Sequence, residues 1–298
     1  MRKRPVVGIA AGLLLIAGLE GSASPVPPPG FVSDFALDMQ DDRFGGISAI
    51  EISADGLGFT VVSDRGAVAS GTFTRDATSR ITAAQAAPMA FLQDVTGDPF
   101  DDKANDSEGL AIAADGTAFI SFEGGARVLR YDSLTAPADP LPTPREFSAM
   151  QNNSALEALA IDAAGSLYTL PERSGALTTP FPVYRFKNGA WDSKLGIPRS
   201  GSYLPVAADF GPDGQFYLLE RQLRGLAGFS SRLRRFSLGE AGFGAPEVLF
   251  KTPVGLHDNL EGLTIWRDAA GLLRATMVSD DNFNPFLRSQ IVEYRLPD

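Results

Sequence analysis

The sequence predicts an all-β protein of the β-propeller class, with five blades and a ring closed by the chain's own N-terminal strand. Three observations carry this. One unit recurs five times, and the spacing of its copies suits a four-stranded sheet. Turn formers, Gly 31 and Pro 21, also punctuate the chain too often for long helices.

The copies begin at Ser48 (SAIEISADGLGFTVVSDRG), Glu108 (EGLAIAADGTAFISFEGG), Glu157 (EALAIDAAGSLYTLPERSG), Val206 (VAADFGPDGQFYLLERQ) and Glu261 (EGLTIWRDAAGLLRATMVSDDN). Each reads as a short apolar strand, a turn ending in glycine, a second apolar strand and an acidic residue. The turn glycines Gly56, Gly116, Gly165, Gly214 and Gly271 lie 60, 49, 49 and 57 residues apart. Alternating patterns predict a third strand at Ala67–Thr74, Arg127–Tyr131, Pro182–Phe186, Arg232–Leu238 and Gln290–Leu296. Outer strands are expected at Ile81–Leu92, Arg145–Met150, Ala190–Leu195 and Pro246–Lys251. The fifth unit runs out of chain, so the orphan strand Phe31–Asp38 is expected to complete it and remove the last open sheet edge. Residues 31–298 then form one domain. A degenerate unit hidden between Thr74 and Asp106 would raise the count to six blades. A two-sheet sandwich is the structural alternative, and it leaves the repeat unexplained.

The N-terminus has a different character. Arg2, Lys3 and Arg4 precede an apolar run, Val6 to Leu19, and the small residues Gly21, Ser22 and Ala23 follow. That order is a secretory signal peptide, residues 1–23, too short to span a bilayer as a helix. A Pro-rich linker, residues 24–30, leads into the fold. The expectation is an exported, periplasmic or extracellular monomer with no stable membrane anchor.

Composition narrows the chemistry. With Lys plus Arg 26 and Asp plus Glu 36, the net charge of −10 disfavours nucleic-acid partners. There is no cysteine and one histidine, so disulfides, thiolate zinc sites, cysteine nucleophiles and multi-histidine metal sites are excluded. No G-x-S-x-G elbow, phosphate loop or dinucleotide fingerprint appears. Carboxylates, arginines and backbone oxygens remain.

In an antiparallel blade the start of the innermost strand and the end of the second lie at the same end of the sheet. Ser48, Glu108, Glu157, Val206 and Glu261 open the inner strands; Asp64, Glu123, Glu172, Glu220 and Asp280 close the second strands. Eight carboxylates, with Asp281 as a ninth, are therefore expected around one mouth of the central channel. Two negative charges ~5 Å apart repel by ~3 kcal/mol at an effective dielectric near 20, so the group needs a cation, arginines or raised pKa values. Calcium suits an all-oxygen site, and Arg65, Arg173 and Arg221 directly follow three of the acids. A purely structural reading is that these acids cap turns and pair with the arginines. A second acidic cluster, Asp98, Asp101, Asp102, Asn105 and Asp106, lacks EF-hand spacing and reads as a solvated loop or a rim site. Asp280, Asp281 and Asn282 read as an Asx turn or as ligands. His257 reads as a surface-loop residue or as an acid–base group at the mouth.

The motifs DSEGLA (106–111), Glu172-Arg173, Glu220-Arg221, LEGL (260–263) and SDDNF (279–283) resemble the family named for the esterase-like activity of phytase, from about Gly45 to the C-terminus. The resemblance implies a β-propeller and hydrolysis of phosphate or other esters. The reading that follows is a calcium-dependent ester or phosphoester hydrolase acting on a small molecule. Asp64, Glu123, Glu172, Glu220, Asp280 and Asp281 would hold the metal; Glu108, Glu157 and Glu261 would orient or deprotonate water; Arg65, Arg173 and Arg221 would bind substrate. A non-catalytic binding propeller and a lactonase-type propeller enzyme are the rival readings.

Overall fold

The computed structural model describes residues 25–100, 105–150, 154–283 and 287–298. The residues assigned above to a signal peptide lie outside that set. Among the described residues, five antiparallel blade sheets, four of four strands and one of five, surround one axis. Their inner strands are Ile47–Ile52, Ser107–Ile112, Leu156–Ile161, Leu204–Phe210 and Asn259–Arg267, in blades one to five. Each inner strand neighbours the next, and the fifth neighbours the first.

Local chemistry sets the hairpins. The turn glycines Gly56, Gly116, Gly165, Gly214 and Gly271 all have φ between 74° and 90°, left-handed backbone that side chains resist. Beyond each turn the second strand, for example Gly58–Ser63 in blade one or Phe216–Leu223 in blade four, returns towards the same mouth. Buried apolar side chains form five clusters, one at each blade-to-blade contact, so the core is itself a ring. Leu263 and Met277 of blade five meet Leu219 and Leu233 of blade four, for instance. Burying such faces against neighbouring sheets is the main stabilising term.

The ring closes as the sequence predicts. Strand Phe31–Ala36 pairs antiparallel with Gln290–Arg295, with Phe31 opposite Tyr294 and Ala36 opposite Gln290. There are five blades, not six. The stretch after Thr74 supplies the outer strand Ile81–Ala86 and a short strand Ala90–Phe91 that folds back onto the third strand. One outer strand is displaced from its expected place. In blade two Asp139–Pro140 pairs with the third strand, and Phe147–Ala149, inside the expected strand Arg145–Met150, is a single 3-10 turn. Phe147 is drawn from sheet pairing into the core, where it packs edge-on against Tyr184 at 5.0 Å.

Two features position the mouth. The inner strands approach too closely for a tunnel: a Cβ on Gly262 would lie 2.9 Å from the backbone N of Ile50, and one on Gly109 2.7 Å from Leu159. The axial cavity among Ser48, Glu108, Gly109, Ala207 and Gly262 is about 10 Å³, room for about one water. Every inner strand also has a register shift at its start, between Ile47 and Ala49, Ser107 and Leu110, Leu156 and Ala158, Pro205 and Ala207, and Leu260 and Gly262. The residues so bulged include Ser48, Glu108, Glu157, Val206 and Glu261, the openers of the five repeats. A bulge re-aims the extra residue out of the pleat.

Candidate functional site

The bulges and the strand ends gather acids at one mouth, in two electrostatically different halves. In the first half, single carboxylate oxygens of Asp106, Glu108 and Glu123 lie within 4.8 Å of one another. Asp106 sits just before the inner strand of blade two, its carbonyl accepting a hydrogen bond from Glu123 N at 2.8 Å. Glu123 Oε1 accepts the Ala155 N–H at 3.2 Å, which ties this group to blade three. Asp64 of blade one adjoins it, with Asp280 on its other side.

This half lacks full compensation. Burial, then the neighbouring Glu157 and Asp106, push Glu108 well above the usual carboxylate range. Burial and Asp106 raise Glu123 to about 7. Burial and Asp280 raise Asp64 to about 7, against the opposing pull of Arg65. Glu157 is raised by burial, and a hydrogen bond links it to Glu123. Acids so crowded must share protons or take up a cation. Arg127 supplies partial relief towards Asp106, its guanidinium lying 4.2 Å from the centroid of the Phe122 ring.

In the second half the acids are paired with two arginines, Arg221 and Arg173. Arg221 donates to Asn259 Oδ1 at 2.7 Å, to Glu261 and to Glu172 Oε1 at 3.4 Å. Asn259 in turn donates to Glu261 at 2.8 Å. Arg173 reaches Glu172 Oε2 through Nε at 3.2 Å, with 58% of its side chain exposed. Arg65 lies flat over Phe283, 3.2 Å from the ring centroid.

Several expected roles change with the geometry. Glu220 does not face the mouth group: its two oxygens each accept from both Arg232 and Arg234 at 2.7–2.9 Å, and its side chain is 0% exposed. No oxygen is left for a cation, because strand pairing sets Arg232 directly opposite it. Asp281 is likewise spent, Oδ1 accepting from Gly46 N and Phe283 N and Oδ2 from Ser289. Asp280 Oδ1 accepts from Asn282 N at 2.7 Å, so the Asx turn is present. Glu172 faces arginines on both oxygens. Of the six residues expected as metal ligands, Glu123 lies in the three-carboxylate group and Asp64 beside it. Glu108, expected to work on water, lies in the same three-carboxylate group. Val206 contributes no charge. His257 is neither at the mouth nor on the surface: it is buried in blade five, its Nε2 2.8 Å from the Tyr294 hydroxyl and its ring stacked at 6.1 Å on Phe31.

Asp106, expected only in the second acidic cluster, and Asn259 also stand at the mouth, outside the ring that the repeat predicts. They occupy the same place, two residues before the bulged glutamate, in D-S-E-G-L and N-L-E-G-L. Aligning those two runs was the available signal. Of the loop cluster, Asp98 lies in a turn organised by Asp94, while Asp101 and Asp102 lie outside the described residues.

Similar folds occur in solved structures. The catalytic domain of a Coprinopsis cinerea GH62 α-L-arabinofuranosidase shares 11% identity with a TM-score of 0.53, over 91% of this chain and 97% of that one. A Podospora anserina α-L-arabinofuranosidase shares 11% with a TM-score of 0.51, over 89% and 98%. A PQQ-bound aldose sugar dehydrogenase from Streptomyces coelicolor shares 14% with a TM-score of 0.46, over 91% and 100%. At such identities the two arabinofuranosidase likenesses speak to fold alone. No curated protein matches the sequence. The family described as esterase-like activity of phytase matches residues 42–283, a span that contains all five inner strands and both halves of the mouth, and the chain belongs to that phytase-like family.

Proposed function

We propose that the protein is a divalent-cation-dependent hydrolase of ester bonds, lactones included, working at the acidic mouth, with calcium as the cation. The observation that carries the reading is the Asp106–Glu108–Glu123 group, three converging carboxylates beside a fourth, Asp64, while the nearby Arg221 is already engaged with Glu172 and Glu261. The donor set is all oxygen, and charge crowding is what a hard cation relieves. Asp106, Glu108 and Glu123 would hold the ion, with Asp64 at its edge. Bound there, the cation would supply Lewis-acid stabilisation of the developing oxyanion.

The remaining work falls to the chain. Glu157, hydrogen-bonded to Glu123, would take a proton from the attacking water, once cation binding frees it of the shared proton, and return it to the leaving alkoxide. The water oxygen bonds to the acyl carbon as the acyl–oxygen bond breaks, giving a carboxylic acid and an alcohol. Glu261 holds Arg221, and Arg221 and Arg173 in that half, with Arg65 beside Asp64, would face substrate oxygens. A phosphoester is the less favoured substrate, since the surrounding acids repel added negative charge. The basic, apolar and small-residue order of residues 1–23 supports export.

The test is calorimetry with calcium on the exported form, together with hydrolysis of an aryl acetate and an aryl phosphate with calcium or chelator. Expected are saturable calcium binding, acetate turnover lost in chelator, and a drop of at least 100-fold in Glu123→Gln and Glu108→Gln, consistent with losing a metal ligand. Calcium-independent turnover, or no calcium binding in a folded protein, overturns the proposal. A binding propeller without catalysis is the second reading. It is favoured by the Arg221 pairing, and calcium binding without turnover of either ester would select it.

A further inference from the structure

Beside the acidic mouth, at the seam of blades two and three, lies a cavity of about 530 Å³ lined by Glu146, Met150, Arg173 and Tyr184 among others. The volume is that of a small-ligand pocket. It is joined to the mouth by bonds already described: Arg173, in its wall, holds Glu172, and Ser154, also in its wall, precedes Ala155, whose N–H binds Glu123.

The walls are mixed in charge, and one of them is packed from behind. Tyr184 is fixed by Phe147 at 5.0 Å in a T-shaped contact, and Phe147 by Trp191 at 5.3 Å. Phe147 sits in the 3-10 turn that replaces a strand in blade two, so that departure from the repeat creates the pocket's outer wall. Arg173 and Glu146 bring opposite charges to one space. A phosphate or carboxylate group would meet Glu146 and the acidic mouth, and an ammonium group would meet Arg173. A neutral ligand rich in hydroxyls suits both, donating to the carboxylate and accepting from the guanidinium while an apolar face lies on Tyr184 and Met150.

We infer that this pocket is the substrate subsite, and that it takes the polyhydroxylated, sugar-like half of an ester or lactone whose reactive carbonyl reaches the mouth past Arg173. The inference rests on the hydrolase reading for its reaction, but the pocket binds or fails to bind on its own account.

The experiment compares the wild type with Ala149→Phe, which fills the cavity from an exposed lining position without touching the acids. Hydrolysis of an aryl acetate and of an acetylated glucose is measured in both, and methyl glucoside binding is followed by calorimetry. Expected are a KM for acetylated glucose raised at least tenfold by the substitution, aryl acetate kinetics within twofold, and methyl glucoside binding seen only in the wild type. Equal effects on both esters, or no effect on either, overturn the inference. If no ester is turned over at all, the hydrolase reading falls, and methyl glucoside binding alone decides the pocket: binding abolished by Ala149→Phe sustains it, and none in the folded wild type rejects it.

Discussion

At the scale of the residue, the mouth shows that position in a repeat fixes where a side chain starts, and the partner opposite fixes what it does. Glu172 and Glu220 close equivalent second strands, each followed by arginine, and the sequence treats them alike. The third strand separates them. Arg232 and Arg234 stand on the strand next to Glu220 and take all of its oxygens within a fully buried network. Removing one partner of a buried ion pair leaves charge without compensation, at a cost of about 3–5 kcal/mol. Glu220→Gln is therefore expected to lower the stability of the protein by about that amount, read from urea unfolding, while calcium affinity stays within twofold. An unchanged urea midpoint, or lost calcium binding in a folded variant, would return Glu220 to the ligand set.

At the scale of the element, the five-fold unit, its turn glycines and four of the five third strands were legible within about two residues, because period-two patterning and left-handed turns are local properties. The bulges were not, since a register shift exists only between two strands. Nor was the displacement of blade two's outer strand to Asp139–Pro140, since Phe147, in the expected strand, packs against Tyr184 instead of pairing at a sheet edge. The closing strand was readable by elimination, but its fastening was not. His257 lies between Phe31 of that strand and Tyr294, and burial lowers its pKa from 6.5 to about 4. The nearby Asp34 opposes the shift. A depressed pKa means that the unfolded chain binds the proton more readily. The neutral ring's contribution is present above pH ~6.5 and is lost as pH falls through the folded value near 4. Protection of the amides of residues 31–36, taken relative to their intrinsic exchange rates, is thus expected to fall ahead of the other blades between pH 6 and about 4, and His257→Leu should flatten that response. A uniform fall across all five blades would show that the clasp is not the acid-sensitive element.

For the whole molecule, the seam of five inner strands has a second acidic feature away from the mouth. Glu51 of blade one accepts from Thr264 of blade five at 3.2 Å and faces Asp209 of blade four. Asp209 is itself held by the Ile265 N–H at 2.6 Å. A further backbone hydrogen bond to Glu51 comes from Ile112 of blade two, so four blades converge on one carboxyl pair. Burial, then repulsion from Asp209, drives Glu51 well up, and burial raises Asp209 to about 7. With a raised folded-state pKa, the protonated pair contributes its full stability below the unfolded value near 3.8 and loses it as pH rises through about 7. Closure of the ring should therefore weaken from pH 5 to 8 by something on the order of 1–3 kcal/mol through this pair. The mouth acids add a slope of the same sign, which saturating calcium would remove. Asp209→Asn keeps an acceptor for Ile265 and removes the repulsion. In saturating calcium, its urea midpoint should fall less than that of the wild type between pH 5 and 8, and the two proteins should differ least at the acid end. Parallel pH profiles for the two would mean that the pair is solvated well enough to ionise freely, and that the ring is held by its apolar seams alone.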